Sequence, residues 1–224
     1  MKPMNFFTRS FFCAAIALFV VTTATAQTDS ALNLPNFLMP SFTKCIVKFK
    51  SGNVQTANLN YNIVDQEMVF KQPDAYMVLS DPNQIDTILM NNRKFVPYGN
   101  VFYEVALTGP VVLYIQHKII AEDQGTPTGY GASSKTLQPT YVRQLYGPIS
   151  SVNLALPDNM KLTDVTDYWI SKDNSMEKFS NKRQFLKIYK DKEKDINQFI
   201  DKNNISFKKQ DDIVKLVVYC RDLK

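Results

Sequence analysis

The sequence predicts an α+β fold, with an antiparallel β-meander, open or curled into a half-barrel or sandwich, and C-terminal amphipathic helices packed against it. Short apolar or alternating runs follow one another from Phe42 to about Lys172, separated by breaks that contain Pro, Gly or Asn. Near Ser180 the apolar period changes from two residues to that of a helix. Sequential short strands favour a meander, and helices that follow it need a sheet to cover their apolar faces.

A secretory signal peptide is predicted at residues 1–26. Lys2 and Arg9 precede a nearly continuous apolar run, and the run is followed by the small residues Ala24-Thr25-Ala26. The apolar run is shorter than the roughly 20 residues that a spanning helix needs. We therefore expect cleavage near Ala26, a periplasmic or extracellular mature chain, and no transmembrane span in it.

The body of the chain, residues 41–175, is predicted to be β-rich. Its first strand, TKCIVKFK, alternates Cys45, Val47 and Phe49 with lysines, as a strand with one buried and one solvated face does. The runs that follow include EMVFK, AYMVLS, IDTILM, KFVPY, NVFYEVAL and VVLYIQHKII. The preceding residues 27–40 carry prolines without an apolar period, so we expect an irregular leader there.

A long loop is predicted at Glu122–Ser134, where EDQGTPTGYGASS is rich in Gly, Ser and Thr. Loops of this length inside a compact domain are often functional. Tyr130 lies in this loop without apolar neighbours, and Tyr141, Tyr146 and Trp169 lie near later turns. Exposed aromatic rings stack on sugars or anchor partners, so these four residues are candidate ligand or partner contacts; core or rim packing is the alternative.

Residues 176–224 are predicted to form a helical segment. Apolar residues recur at helical spacing in KRQFLKIY, DKEKDINQFIDKNN and DDIVKLVVYC. The segment holds 13 basic and 8 acidic residues, and its net charge of +5 equals that of the whole chain. Alternating signs in KDKEKD are typical of a solvated helix face, with weak contact to an anionic envelope surface as the alternative. Because export is predicted, we expect no nucleic-acid partner.

Two cysteines follow the predicted signal peptide. Cys45 lies on the apolar face of the first strand and Cys220 on the apolar face of the last helix. Two alternatives stay open: buried thiols that pack as small apolar groups, or a disulfide formed in an oxidising compartment.

His117 is the only histidine of the chain, which restricts the available chemistry. A zinc site of the His/Cys type needs three or four ligands. A Ser-His-Asp triad would have to use His117, whose segment carries no nucleophile motif. We therefore expect no metal, no cofactor and no enzymatic activity. Alternation in VVLYIQHKII places His117 on the same face as Leu113 and Ile115, and this predicts a packed or edge histidine.

Two parts of the sequence resemble a known group. The meander LNYNIVDQEMVF and RKFVPYGNVFYEVALTGPVVLY resembles uncharacterised exported proteins of the Bacteroidota type. The ending DKEKDINQFIDKNNISFKKQDDIVKLVVYC resembles the basic helical tails of such proteins. The resemblance implies export and this architecture, and it assigns no activity and no site residue.

We expect a non-catalytic exported envelope protein with a binding or scaffolding role towards an unidentified partner or ligand. One alternative is a carrier of a small apolar ligand, which requires a sheet closed around a cavity. The other is an Asp/Glu-based hydrolase without a recognisable motif. Its candidate acidic pairs are Asp65 with Glu67 and Asp164 with Asp167.

Overall fold

The computed structural model describes residues 34–73, 75–124, 126–127, 133–134, 156, 159–173 and 175–223. In these residues the chain has the predicted α+β fold, an open antiparallel sheet with helices packed on one face. The predicted signal peptide, residues 1–26, lies outside the described part of the chain.

The described strands follow the predicted meander. They are β1 Thr43–Phe49, β2 Val54–Asn62, β3 Glu67–Lys71, β4 Tyr76–Val78, β5 Ile85–Met90, β6 Arg93–Tyr98, β7 Val101–Leu107, β8 Val112–Gln116, β9 Ile119–Asp123, β10 Thr126–Pro127, β11 Ser133–Ser134, β12 Met160–Asp164, β13 Asp167–Lys172 and β14 Ser175–Phe179. Ten of these described strands form the large sheet, in the order β14-β13-β8-β7-β6-β5-β1-β2-β3-β4, while β12 pairs with β9 and β10 with β11. The described helices are α1 Lys182–Ile188, α2 Glu193–Lys202 and α3 Gln210–Asp222, and 3₁₀ turns lie at Pro82–Gln84 and Lys190–Lys192.

The half of the large sheet that runs from β7 to β4 curls, and the sheet stays open. The Tyr61 hydroxyl on β2 donates to the carbonyl oxygen of Phe102 on β7, at 3.0 Å. The concave face is filled by what we call the curl core, which includes the fully buried Tyr61, Phe95, Phe102, Met68 and Ile88. Side chains fill this interior, so within the described residues the curl is packed in the way of a domain core.

The helices cover the same face of the sheet at the end formed by β8, β13 and β14. Leu113 and Ile115 of β8 and Phe179 of β14 pack against apolar side chains of the helices, and we call this group the helix-side core. The side chain of Asn181 caps α1 by accepting from the backbone N–H of Gln184, at 3.0 Å. The helical stripes seen in the sequence therefore cover the sheet, as predicted.

Two predicted segments need correction. The loop expected at Glu122–Ser134 starts too early, because Glu122 and Asp123 belong to β9 and pair with β12. Its residues 126–127 and 133–134 are paired as well. The helical segment expected from residue 176 begins later, because Met176 to Phe179 are the outer strand β14. In each case the pairing depends on a partner strand, which local composition does not indicate.

The leader docks on the sheet in its described part, residues 34–40. The backbone N–H of Leu38 donates to the carbonyl oxygen of Tyr61, and that of Ile63 to the carbonyl oxygen of Asn36. Phe37 is buried against Phe42 with ring centroids 5.5 Å apart. The segment is irregular, as predicted, and it covers part of the curled sheet.

Both described cysteines are free thiols and buried. Cys45 lies in the curl core and Cys220 in the helix-side core, so the structure has the two packed thiols rather than the bridge. None of the described helices is long and apolar enough to cross a membrane.

Candidate functional site: a polar triad beside a cleft

Arg93, Glu104 and His117 form a polar triad on the concave face, between the curl core and the helix-side core. Glu104 of β7 is paired with Phe95 of β6 on one side and with Ile115 of β8 on the other. Side chains alternate between the two faces of a sheet, so residues two positions from Phe95 or Ile115 lie on the same face as Glu104. Arg93 precedes Phe95 by two residues, and His117 follows Ile115 by two. Sheet register therefore brings three residues from three strand regions together.

The turn before β6 fixes the position of Arg93, the first residue of that strand. Asn91 and Asn92 join β5 to β6, and both have positive φ, 47° and 63°. A two-residue hairpin turn of this kind requires left-handed backbone at both central positions, which asparagine tolerates well. Met90 and Arg93 are consequently paired directly across the turn.

The triad is connected by short polar contacts. The Arg93 Nε donates to Glu104 Oε1 at 2.7 Å, and its Nη2 donates to Glu104 Oε2. His117 Nε2 lies 2.6 Å from the same Oε2 and 2.9 Å from Arg93 Nη2. The side chain of Glu104 is only 5% exposed, that of His117 11% and that of Arg93 25%. The carboxylate is thus the most deeply buried group of the three.

These contacts assign the tautomer of His117. An arginine nitrogen is only a donor and an ionised carboxylate only an acceptor. His117 Nε2 can therefore donate to Glu104 when it is protonated or accept from Arg93 when it is not, but it cannot do both. The shorter contact is to Glu104, and a buried carboxylate needs donors. We therefore assign the proton to Nε2, donating to Glu104, while Arg93 directs its own protons to the carboxylate. In the neutral ring Nδ1 then carries a lone pair.

Glu104 is held in its ionised form. Burial raises the pKa of this carboxyl group, but hydrogen bonds from Arg93 and His117, together with the positive charges of Arg93 and of protonated His117, outweigh burial and lower the pKa from 4.5 to about 2. The triad is therefore an anchored carboxylate that orients the histidine ring.

His117 also lines a cleft of about 600 Å³ that opens to solvent. The other walls come from the β12–β13 connection (residues 164–168), from Ser180 before α1, and from Phe207, Lys208 and Gln210 around the start of α3. Within the described part of the chain Nδ1 has no hydrogen bond. It is therefore the ring nitrogen that remains for a ligand in this cleft, which we call the His117 cleft.

The structure brings one of the predicted acidic pairs to the His117 cleft. Asp167 forms an ion pair with Lys178 at 2.7 Å, and Asp164 Oδ1 accepts from the backbone N–H of Thr166 at 2.8 Å. In the described contacts the two carboxylates therefore have separate partners. The other predicted pair, Asp65 and Glu67, lines a second cleft of about 370 Å³ near Phe102.

Trp169 lies on the opposite face of the large sheet, in what we call the aromatic platform, Tyr98, Tyr103 and Trp169. Tyr103 stacks on Tyr98 with centroids 4.8 Å apart and on Trp169 at 5.8 Å. The indole nitrogen donates to Gln116 Oε1 at 3.2 Å, and the Lys178 ammonium lies 5.8 Å from the indole centroid. Tyr98 is 49% exposed, so its outer face is accessible in the described structure. Trp169 itself is half-buried and contacts Tyr103, Gln116 and Lys178.

The other predicted contact residues, Tyr130, Tyr141 and Tyr146, lie outside the described residues. Sequence reasoning missed Arg93 and Glu104 and predicted His117 only as a packed or edge side chain. One signal was present, because Glu104 interrupts the apolar strand VFYEVAL, and a charge buried in a strand requires partners. Across the residues that the structure describes, no group of three His, Cys, Asp or Glu side chains could hold a metal ion.

Comparisons with known proteins leave the family open, because no protein-family model, curated protein or solved structure matches this chain. The resemblance to exported Bacteroidota-type proteins stays an expectation carried by the quoted residues alone.

Proposed function

We propose that this chain is an exported, non-catalytic binding protein and that the His117 cleft is its ligand site. One observation carries the proposal: a buried histidine whose Nε2 is bound by Glu104 lines the cleft and has no hydrogen bond at Nδ1 among the described residues. Small-molecule sites are typically concave, of about 300–1,000 Å³, and contain a few fixed polar groups within apolar walls.

The triad supplies the rigidity that such a site needs. A side chain whose orientation is fixed before binding loses less conformational entropy when the ligand arrives. The double contact from Arg93 fixes the carboxylate of Glu104, and this carboxylate fixes the His117 ring. The apolar-carrier alternative receives less support, because side chains such as Tyr61 and Phe95 fill the interior of the curl.

The test uses the fact that the chain has a single histidine. Protein labelled with ¹⁵N and ¹³C in histidine is titrated with small cationic, anionic and neutral aromatic molecules at millimolar concentration. We expect at least one of them to shift the ring signals of His117 saturably.

A cleft-blocking variant and a matched control make the test specific. Ser180→Trp places a large ring at the cleft wall and should abolish the shift, whereas Ser175→Trp, at an exposed position on β14, should keep it. If no compound moves the His117 signals, or if Ser180→Trp binds like the unaltered protein, the cleft is not the ligand site.

A second candidate, an acid–base enzyme, is favoured by the same Glu104–His117 contact. A carboxylate that holds one ring nitrogen can leave the other as a general base. The two candidates differ in the fate of the ligand. A binding protein returns every ligand unchanged after prolonged incubation, whereas an enzyme yields products whose formation stops in His117→Gln.

Export is tested separately. The full chain expressed in a Gram-negative host should be recovered from the periplasm or medium with Gln27 as its first residue. Recovery from the cytoplasm with residues 1–26 intact would contradict export, and it would leave the binding proposal unaffected.

A further inference from the structure

We infer that the His117 cleft selects a small organic cation, an ammonium attached to an apolar or aromatic group. This preference rests on the proposed function and specifies the chemical class of its ligand. Three features of the cleft support it: the hydrogen-bonding state of His117, the charges of the lining and the aromatic walls.

The hydrogen-bonding state of His117 favours a donor. The Nε2 proton is committed to Glu104 Oε2 at 2.6 Å, so the neutral ring offers the cleft an acceptor at Nδ1. An ammonium group has three donors and no acceptor, and it can donate to Nδ1 directly. A carboxylate or phosphate has no proton for Nδ1 and would face a lone pair.

The cleft also offers a cation one carboxylate oxygen. Asp164 uses Oδ1 for the backbone of Thr166, which leaves Oδ2 for a ligand within the described contacts. Lys178 is paired with Asp167, so this pair contributes little net charge. Lys208 is the cation that remains in the described lining. It is exposed to solvent, as Asp164 is, so screening weakens the effect of both charges.

The hydroxyl group of Tyr168, whose side chain is mostly buried, lies near the same carboxylate. Burial is the largest cause that raises its pKa, to about 12, and the negative charges of Asp164 and Glu104 raise it further. Asp164 thus contributes negative potential at this point of the cleft wall, whereas Arg93 balances most of the charge of Glu104.

The aromatic walls suit the remainder of such a ligand. Tyr168 is buried and stacked on Phe179 with ring centroids 5.5 Å apart, and Phe207 is half-buried. Aromatic faces attract cations electrostatically and pack on apolar groups. An aryl-alkyl amine can therefore use the acceptors and the rings together.

Three probes of one shape test the charge preference: phenethylamine, phenylacetate and phenethyl alcohol. The readout is the saturable shift of the His117 ring signals at neutral pH. Phenethylamine should bind about tenfold more tightly than phenethyl alcohol, the factor expected for one charge-assisted hydrogen bond. Phenylacetate should bind more weakly than both.

Variants locate the cation. Asp164→Asn keeps an acceptor for Thr166 and should weaken phenethylamine about fivefold while leaving phenethyl alcohol unchanged. The matched control is Asp173→Asn, whose carboxylate is 86% exposed and lies outside the cleft lining; it should change neither affinity.

The outcomes separate the inference from the proposed function. If phenylacetate or the alcohol binds at His117 at least as tightly as the amine, the cation preference is wrong and the ligand site stands. The cation preference is equally wrong if other compounds shift the His117 signals and phenethylamine does not. If no compound of any charge shifts His117, the ligand site itself is wrong.

Discussion

Glu104→Gln tests the triad as a source of stability. The substitution keeps the shape of the side chain and removes the negative charge that receives Arg93 and His117. Because folding lowers the pKa of Glu104 from 4.5 to about 2, and a tenfold change in proton affinity is worth about 1.4 kcal/mol, the ionised carboxylate contributes about 3 kcal/mol near neutral pH. The side chain is 5% exposed, so solvent screening reduces this value little.

The sign of the pH dependence follows from the lowered pKa. A carboxyl group whose pKa is lower in the folded state stabilises fully above its unfolded value, 4.5, and the contribution is lost as the pH falls towards 2. Glu104→Gln should therefore reduce the free energy of unfolding by about 3 kcal/mol at pH 7 and by only about 1 kcal/mol at pH 3.

Urea denaturation followed by tryptophan fluorescence measures this difference, because Trp169 is the only tryptophan. The other acidic groups titrate in both proteins, so their contributions cancel in the comparison. Glu177→Gln, at an exposed position on β14, is the control and should change stability by less than about 0.5 kcal/mol at either pH. A loss for Glu104→Gln that is equal at pH 7 and pH 3 would refute the electrostatic reasoning.

Three further predictions concern the cores. Phe179→Ala should lower the free energy of unfolding by about 3–5 kcal/mol in urea denaturation, because the ring is fully buried in the helix-side core; a loss below about 1 kcal/mol would contradict that packing. Tyr61→Phe should cost about 1–2 kcal/mol by the same assay, since it leaves the Phe102 carbonyl oxygen without the hydrogen bond that ties the curl; an unchanged midpoint would contradict that role. Cys45 and Cys220 should resist a thiol reagent in the folded protein, because burial raises the pKa of both thiols, that of Cys220 to about 12. Both thiols should react once the protein is unfolded in urea. Unfolded protein without reactive thiols would indicate a disulfide between them.

The sequence predicts most of the fold because the relevant signals are local. Alternation in TKCIVKFK and VVLYIQHKII identifies strands and their buried faces, and the stripe Ile213, Leu216, Val217 and Cys220 identifies α3. The pairing of β9 with β12 is not predictable in this way, since composition over a few residues carries no information on a distant partner.

The candidate site is less predictable for the same reason. The period of two places His117 on the buried face, and this is confirmed. It does not say that Glu104 lies beside it, because that contact depends on the register of β7 on β8, which shifts between Val105 and Leu107. Glu104 inside an apolar strand was the available signal, and it requires a partner without identifying which residue that is.

The tautomer of His117 tests the central claim most directly. In the neutral ring, ¹⁵N chemical shifts and ring proton couplings should place the proton on Nε2, where Glu104 accepts it, and should show Nδ1 as an unprotonated nitrogen. In Glu104→Gln this preference should weaken. A neutral ring in the unaltered protein with its proton on Nδ1 would contradict the account, because His117 would then offer the cleft a donor and Glu104 would not orient the ring.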